Sequence, residues 1–326
     1  MTILVTGSAG HLGEALMRSL RAEGVAARGL DIKPSAFTDV VGSITDRAIV
    51  RDALKGVRSV VHTATLHKPH AVTHSHQDFV DTNITGTLVL LEECAAARVD
   101  TFVYTSTTSA FGAALKPAPD GPASWITEDV APVAKNIYGT TKLAAEGLCE
   151  MFARKGRLAA VVLRTSRFFP EADDDAQIRG TYATANVQAN EMLYRRVDIA
   201  DIVSAHKLAL EKATAIGFRR YIISATSPFT QSDLALIHRD APAVIYRLFP
   251  DCRALYAARG WSPFPRIDRV YVNKLARAEL GWTPRFDFRT VLDCLRAGAD
   301  FRSALARDVG SKGYHDAVFA DGPYPV

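Results

Sequence analysis

The first thirteen residues constrain the fold more than any other part of the chain. A short apolar run, Ile3–Val5, is followed at once by Gly7, Gly10 and Gly13, and an amphipathic stretch, Leu12–Leu20, has the spacing of a helix. In a strand–glycine–helix unit of this kind, the glycines permit a tight turn, close approach of a pyrophosphate and close packing of the helix on the strand. We therefore predict that a dinucleotide binds with its phosphates at the start of this helix, where unpaired N–H groups and the helix dipole favour negative charge.

The second predicted strand, Val25–Asp31, ends in an acid. A carboxylate at this position accepts both hydroxyls of an adenosine ribose and repels a 2′-phosphate. The sequence therefore favours NAD over NADP. Arg28 and Lys33 lie close by and keep NADP open as the alternative.

Strand and helix patterns continue to alternate along much of the chain. Further strands are predicted at Ser59–His62, Thr101–Thr105, Ala159–Leu163 and Tyr221–Ser224, with helices at Asp46–Leu54 and Asp78–Ala97. This alternation predicts an α/β fold, a doubly wound parallel sheet of the Rossmann type covered by helices on both faces. We expect residues 1–164 plus 197–224 to form the NAD-binding domain and residues 165–196 plus 225–326 a smaller, discontinuous substrate lobe.

Composition excludes several classes of partner. The net charge of +4 over 326 residues is small and dispersed, which predicts no nucleic-acid binding. No apolar run is long enough to span a membrane. The four cysteines are far apart in the sequence, which is typical of a reducing cytoplasm.

Histidines are concentrated in one segment after the third major strand. Five of the nine fall within fifteen residues: His62, His67, His70, His74 and His76. The segment has no HExxH pattern and no neighbouring cysteine or tight set of acids, so we predict no metal site. We expect the loop to line a polar substrate cleft beside the cofactor, with His67 in contact with the substrate.

Tyr138 and Lys142 are four residues apart and therefore neighbours on one face of a helix. An ammonium at ~4 Å in an effective dielectric of ~20 contributes about 4 kcal/mol, which could lower the pKa of a phenol by up to roughly three units. A tyrosine made acidic in this way can act as a general base, with a hydroxyl from the Thr105–Gly112 segment holding the substrate oxygen. An incidental pair at this spacing is the alternative.

Four motifs together resemble the extended short-chain dehydrogenases/reductases, most closely the NAD-dependent epimerase/dehydratase family. They are Thr6–Gly13, the Ser/Thr-rich run Thr105–Gly112, Tyr138-x-x-x-Lys142, and Glu279–Pro284. The resemblance implies NAD as cofactor and Thr107, Tyr138 and Lys142 as the catalytic set. The expected cofactor contacts are Gly7, Gly10, His11, Leu12, Gly13, Asp31, Ile32, Thr63, Ala64, Thr65, Asn83, Thr105, Tyr138 and Lys142. Asn83 interrupts an apolar helix stripe, so it either satisfies buried backbone or contacts the cofactor.

The sequence departs from the family pattern on the substrate side. Thr108 and Ser109 stand where dehydratases of the family carry an acidic pair, which argues against dehydration. Arg167–Glu171 replaces the family's Asn-x-Tyr-Gly-Pro, and the arginine expected to grip a diphosphate falls on Tyr194. The candidate substrate contacts are His67, Thr108, Arg167, Arg195 and Arg196.

We predict an NAD-dependent enzyme that transfers hydride at a carbinol carbon of a sugar or nucleotide sugar, most like a 4-epimerase. The alternative is a net NAD(P)-dependent dehydrogenase or reductase of a smaller hydroxy or keto compound. A non-catalytic nucleotide sensor is a third class, against which an intact proton-transfer set argues. The resemblance also implies a homodimer, paired through the Asp78–Ala97 helix and the Tyr138 helix.

Overall fold

A computed structural model of the chain describes residues 2–313 and Phe319. Its strands are β1 (Thr2–Thr6), β2 (Ala27–Asp31), β3 (Val40–Val41), β4 (Val57–His62), β5 (Thr101–Thr107), β6 (Ser124–Ile126), β7 (Ala159–Thr165), β8 (Phe218–Ile223) and β9 (Arg269–Tyr271). Seven of them form one sheet in the order β3-β2-β1-β4-β5-β7-β8, and β6 pairs with β9 in a second sheet. Every pairing in the large sheet is parallel. The predicted doubly wound parallel sheet is confirmed.

Helices cover both faces of the large sheet and form most of the remaining structure. They are α1 (His11–Ala22), α2 (Arg47–Ala53), α3 (His76–Phe79), α4 (Gly86–Ala96), α5 (Ile137–Arg154), α6 (Ala176–Thr181), α7 (Thr184–Glu191), α8 (Ile199–Ile216), α9 (Leu234–Leu248), α10 (Cys252–Ala257), α11 (Lys274–Leu280), α12 (Phe288–Arg296) and α13 (Ala304–Val309). Among the described residues, none of these helices is long and apolar enough to cross a membrane.

Three large apolar clusters hold the layers together. Leu16 and Val203 belong to the cluster between the sheet and the α1/α8 face, and Leu90 and Cys149 to the cluster on the opposite face. A third cluster, which includes Ile237, lies among α7, α9, α10 and α12. Burial of these side chains is the main stabilising contribution to the fold. The sheet edge formed by the carboxyl ends of β1, β4 and β5 carries the loops predicted to bind the cofactor.

The predicted two-part division of the chain stays a prediction. Some residues assigned to the lobe pack instead in the apolar cluster of the α1/α8 face: Ala276, Leu280, Trp282 and Val309. Helices do lie on both sides of the Gly281–Pro284 break, as expected.

The helix predicted at Asp78–Ala97 is interrupted. A π-helical segment, Val80–Thr85, joins α3 to α4 and contains Asn83. Such segments are rare and occur often at functional sites because the wider turn reorients side chains.

Candidate active site

Two of the three glycines in the loop between β1 and α1 leave no room for a side chain. Gly7 has a φ of +72°, and a Cβ there would lie 2.7 Å from the backbone nitrogen of Ala64. A Cβ on Gly13 would collide with the carbonyl oxygen of Gly7. Gly10 differs, since only the Gly7 carbonyl, at 3.3 Å, lies near its Cβ position. Two of the three glycines are thus required for packing of the turn, while Gly10 begins α1.

The start of α1 can bind an anionic ligand. Gly10 is the N-cap and offers no side chain to the first N–H groups of the helix, which belong to residues such as His11 and Leu12. Helix N-termini without a side-chain cap are favourable phosphate sites because the N–H groups and the dipole point at the ligand. The loop therefore fits the diphosphate of a dinucleotide.

Asp31 is tied to the same loop. Its carboxylate accepts hydrogen bonds from the backbone nitrogens of Ala9 at 2.9 Å and Lys33 at 2.8 Å. Each carboxylate oxygen retains further acceptor capacity, so contact with a ribose is compatible with these bonds. Ile32, beside it, is 66% exposed, and its contact with the cofactor stays a prediction.

The loop after β4 is held by Asn83. The Asn83 side-chain oxygen accepts from the Leu66 backbone nitrogen at 2.8 Å and from the Thr65 hydroxyl at 2.9 Å. Its amide nitrogen donates to the carbonyl of Leu66 and to the Thr141 hydroxyl. Of the two roles left open by the sequence, the structure shows that Asn83 satisfies buried backbone. Its direct contact with the cofactor stays a prediction.

Thr63 and Ala64 are fixed to β1. The Thr63 hydroxyl donates to the carbonyl of Thr6 at 2.7 Å, and the Ala64 nitrogen donates to the Thr6 hydroxyl at 3.3 Å. His62 lies beneath them, bonded to Thr6 and to Thr87. Burial lowers the pKa of His62 well below its ordinary value, so its ring is neutral. This histidine is structural, and among the described residues no three His, Cys, Asp or Glu side chains group as metal ligands.

Tyr138 and Thr107 meet at the carboxyl end of β5. Tyr138 is the second residue of α5, whose N-cap, Asn136, accepts a hydrogen bond from the backbone of Gly139 at 2.9 Å. The phenol is buried, and hydrogen bonding with the Thr107 hydroxyl lowers its pKa. Thr107 is the last residue of β5, so the predicted pair is brought together.

Lys142 follows one turn later on α5 and is 1% exposed. Its ammonium donates to the carbonyl of Thr105 at 2.6 Å and lies 4.2 Å from the ring centroid of Tyr104. Burial lowers the pKa of Lys142 to about 7, although the nearby Glu146 carboxylate opposes this. The Thr105 hydroxyl itself bonds to His206 at 2.8 Å.

The expected acidification of Tyr138 by Lys142 is wrong for this structure. Burial raises the pKa of Tyr138 above its ordinary value, and only the Thr107 hydrogen bond opposes it. The expectation from the sequence was that a fully charged Lys142 ammonium lies beside the Tyr138 phenol. Here the ammonium is directed to the Thr105 carbonyl, and burial lowers its own pKa. Burial therefore favours the protonated form of Tyr138.

A row of rings connects the glycine loop to the phenol. His11 contacts Phe169 at 5.3 Å between centroids, Phe169 contacts His67 at 4.9 Å, and His67 contacts Tyr138 at 4.8 Å. Burial lowers the pKa of His67 to about 3, so it is a neutral polar wall beside the reacting group. The hydroxyl of the predicted substrate residue Thr108 donates to the carbonyl of Thr165 at 3.4 Å, and its contact with the substrate stays a prediction.

The three predicted arginines share one buried carboxylate, Glu191. Its oxygens lie 2.7 Å from Arg195, 2.7 Å from Arg196 and 3.6 Å from Arg167. Asp173 pairs with Arg167 at 2.8 Å and with Arg195 at 3.4 Å. No sequence motif marks Glu191 as a site residue, although its spacing of four residues from Arg195 is that of a helical ion pair.

A cleft of about 830 Å³ opens beside this cluster. Its charged lining consists of Arg195, Arg266, Arg269, Asp173, Asp174, Asp175 and Asp268. Apolar surface is supplied by residues such as Ile178, Tyr182 and Phe264. The cleft is large enough for a small-molecule substrate.

Comparisons with known proteins identify the family and the fold. The family model described as the NAD dependent epimerase/dehydratase family matches residues 3–223. An uncharacterized protein, y4nG, of Sinorhizobium fredii is 32% identical over 310 residues, covering 87% of this chain and 75% of its own. A 2-alkyl-3-oxoalkanoate reductase of Stenotrophomonas maltophilia is 25% identical over 339 residues, covering 92% and 99% respectively. A solved short-chain dehydrogenase/reductase superfamily protein of Agrobacterium tumefaciens, with bound NAD, has a TM-score of 0.64 at 24% identity and covers 94% of this chain and 99% of its own.

The fold is that of an extended short-chain dehydrogenase/reductase. The chain belongs to the NAD dependent epimerase/dehydratase family. NAD is the cofactor, and the coarse activity is that of an NAD-dependent oxidoreductase or epimerase. The resemblance stated from the sequence is confirmed.

Proposed function

We propose that the protein transfers hydride at a carbinol carbon of a sugar or nucleotide sugar, as a 4-epimerase does. The observation that carries this proposal is the position of the buried Tyr138, the second residue of α5, beside Thr107, the last residue of β5, whose hydroxyl lowers the pKa of the phenol. Two hydroxyls that meet in this way can hold one substrate oxygen between them. A relative described as a UDP-glucose 4-epimerase, from Erwinia amylovora, is 30% identical over 171 residues, which is 47% of this chain and 49% of its own.

The chain's own residues would move one proton. Bound NAD supplies a hydride acceptor or donor next to the substrate carbon. In the reducing direction the Tyr138 phenol would give its proton to the carbonyl oxygen as the carbon gains hydride, while Thr107 orients that oxygen. In the oxidising direction the Tyr138 phenolate would take the hydroxyl proton as the carbon loses hydride. Burial, which raises the pKa of Tyr138, favours the protonated form that begins the reducing direction. Lys142 fixes α5 to β5 through the Thr105 carbonyl, and His11, Leu12 and the glycine loop would hold the diphosphate.

A second candidate is net reduction or dehydrogenation of a smaller, non-nucleotide hydroxy or keto compound. The ion pairs that already occupy Arg167, Arg195 and Arg196 favour it, because a diphosphate would have to compete with them. The 25% identical reductase relative is consistent with this candidate.

One assay separates the candidates. The NAD-loaded protein is incubated with free sugars, nucleotide sugars and small hydroxy or keto compounds while NADH absorbance and product are followed. An epimer formed without net NADH supports the epimerase, and stoichiometric NADH change supports the dehydrogenase or reductase. Absence of turnover across all three substrate groups contradicts the proposal.

We further propose a homodimer paired through the segment from α3 to α4 and through α5, tested by light scattering at micromolar concentration. A monomer would contradict it. Cytoplasmic location stays a prediction from cysteine usage. In the described part of the chain the cysteines are free, and Cys94, Cys149 and Cys252 are buried.

A further inference from the structure

We propose that Lys312 is a cofactor-binding residue and that the segment around it, residues 310–313, closes over the start of α1 and retains the bound dinucleotide. The inference rests on the predicted position of the NAD diphosphate at the start of α1 and does not depend on the substrate. No sequence motif marks Lys312, which follows His11 by 301 residues and is brought to it only by the fold.

Glycines in unusual backbone conformations bound the 310–313 segment at both ends. Gly310 directly follows α13 and has a φ of +61° and a ψ of −161°. Gly313 has a φ of +66°. Glycine adopts positive φ without steric cost, and residues at the ends of elements commonly absorb the backbone change when a loop moves. Ser311 and Lys312 can therefore move as a short unit relative to α13.

Glu171 anchors the segment in its closed position. The Glu171 side chain is only 6% exposed, and its Oε1 accepts hydrogen bonds from the Ser311 hydroxyl at 2.7 Å and from His11 Nε2 at 2.8 Å. The backbone nitrogen of Lys312 donates to the same oxygen at 3.3 Å. Burial would raise the pKa of this carboxyl, but the bonds from His11 and Ser311 outweigh it and lower the pKa to about 2. Glu171 is therefore ionised at neutral pH and holds the segment against His11.

His11 connects the segment to the predicted diphosphate site. It is the first residue of α1, and its backbone N–H is one of those predicted to bind the phosphates. The His11 Nε2 atom lies 3.1 Å from the backbone nitrogen of Lys312. The Lys312 ammonium pairs with Glu14, which lies in the first turn of the same helix. The segment thus places one positive charge beside the end of α1 at which the cofactor is expected.

The ion pair between Lys312 and Glu14 can open at little cost. Glu14 also pairs through its other carboxylate oxygen with Arg18, at 2.8 Å. If Lys312 left, Glu14 would keep a cationic partner, so no buried charge would remain unpaired. Glu14 is three residues, or about 4.5 Å along the helix axis, from His11, which a flexible lysine side chain can span.

A bound diphosphate would compete with Glu14 for Lys312. The diphosphate carries about two negative charges and Glu14 carries one, so its attraction for the ammonium is greater at equal distance. Hydrogen bonds between an ammonium and a phosphate are also among the stronger ones in proteins. We therefore expect Lys312 to move from Glu14 to the diphosphate when NAD binds. Release of NAD then requires that this bond break and that the segment open.

The rate of NADH release from the full-length protein tests the inference. The protein is loaded with NADH and mixed with excess NAD, and the loss of bound-NADH fluorescence is followed by stopped flow. Lys312→Met keeps the length of the side chain but removes its charge, and it should speed release about ten- to a hundredfold. Lys312→Arg keeps the charge and should release NADH at about the wild-type rate.

Glu14→Gln separates this role from that of a simple surface ion pair. If Lys312 served only to pair with Glu14, loss of either partner would have the same effect on release. Under the proposed exchange Glu14→Gln removes a competitor of the diphosphate and should slow release about two- to fivefold, the opposite of Lys312→Met. In the double variant Glu14→Gln should lose this effect, because no ammonium remains to be freed.

Lys207→Met is the matched control. Lys207 also pairs with a glutamate of α1 or its cap, Glu23 at 2.5 Å, but at the opposite end of the helix. Its substitution should leave NADH release unchanged. A wild-type release rate in Lys312→Met, or a shift in the same direction in Lys312→Met and Glu14→Gln, would overturn the inference.

The inference and the proposed function fail in different measurements. NADH release involves no substrate, so absence of turnover in every substrate group removes the proposed function and leaves the role of Lys312 standing. Conversely, normal hydride transfer together with a wild-type release rate in Lys312→Met removes only the role of Lys312.

Discussion

The start of α1 and the arginine cluster around Glu191 differ in how they can bind an anion. At the start of α1, Gly10 leaves the first N–H groups of the helix without a side-chain cap. At the arginine cluster, Glu191 and Asp173 already pair with the guanidinium groups. The start of α1 can therefore bind an anionic ligand, whereas the arginines of the cluster are already paired with carboxylates of the chain. At the second region an entering anion would therefore have to compete with ion pairs that are already formed.

The largest expected effect lies between the two regions, at the proton-transfer group. Tyr138→Phe removes the hydroxyl bonded to Thr107 and should lower kcat by about 10²- to 10⁴-fold while NAD affinity is retained. Steady-state kinetics and NAD titration measure the two quantities. Tyr246→Phe, in α9, is the matched control and should behave as wild type. Near-normal turnover of Tyr138→Phe would remove this residue as the acid/base.

The predicted binding of the cofactor diphosphate at the start of α1 is tested by adding a methyl group to the glycine loop. Gly13→Ala places a Cβ against the Gly7 carbonyl, and the forced shift should cost about 3 kcal/mol, or roughly a hundredfold in NAD affinity. Gly147→Ala, in α5, meets nothing within 4 Å and should be neutral or stabilising by about 0.5–1 kcal/mol. Equal NAD affinity in both variants would contradict the assignment of the loop.

Asp31, which is bonded to the same loop, is predicted to set the preference for NAD over NADP. Asp31→Asn keeps the size of the side chain but removes the charge that repels a 2′-phosphate, so the preference for NAD over NADP should fall about tenfold. The ratio of the two dissociation constants is the readout. Asp52→Asn, on the surface of α2, is the control. An unchanged ratio in Asp31→Asn would show that another group makes the selection.

The smallest expected effect is the pH dependence of the free energy of unfolding. The pKa of Lys142 is lowered to about 7 by burial, whereas in the unfolded chain it is near 10.4. Between pH 6 and 8 the folded protein loses this proton and the unfolded chain keeps it, so the free energy of unfolding should rise by about 1 kcal/mol. Lys142→Met should lack this rise in urea unfolding at the two pH values, and Lys155→Met should retain it. The same rise in Lys142→Met would contradict the burial argument.

The cofactor half was predictable from the sequence because its determinants are local. Gly7, Gly10 and Gly13 directly follow a strand, and Tyr138 and Lys142 are neighbours on one helix, so spacing alone places them. The substrate half was not predictable in the same way. Asp173 and Glu191 reach Arg167 from separate segments of the chain, and such pairings depend on tertiary packing. The direction of the Tyr138 pKa shift was missed for the same reason, since burial is not visible in a spacing.

A crystal structure of the wild-type protein with NAD tests the central claim most directly. The account predicts that the diphosphate lies on the backbone N–H groups of His11 and Leu12 and that the nicotinamide lies beside Tyr138. A diphosphate bound to Arg195 and Arg196 instead, or a nicotinamide remote from the Tyr138 phenol, would contradict it.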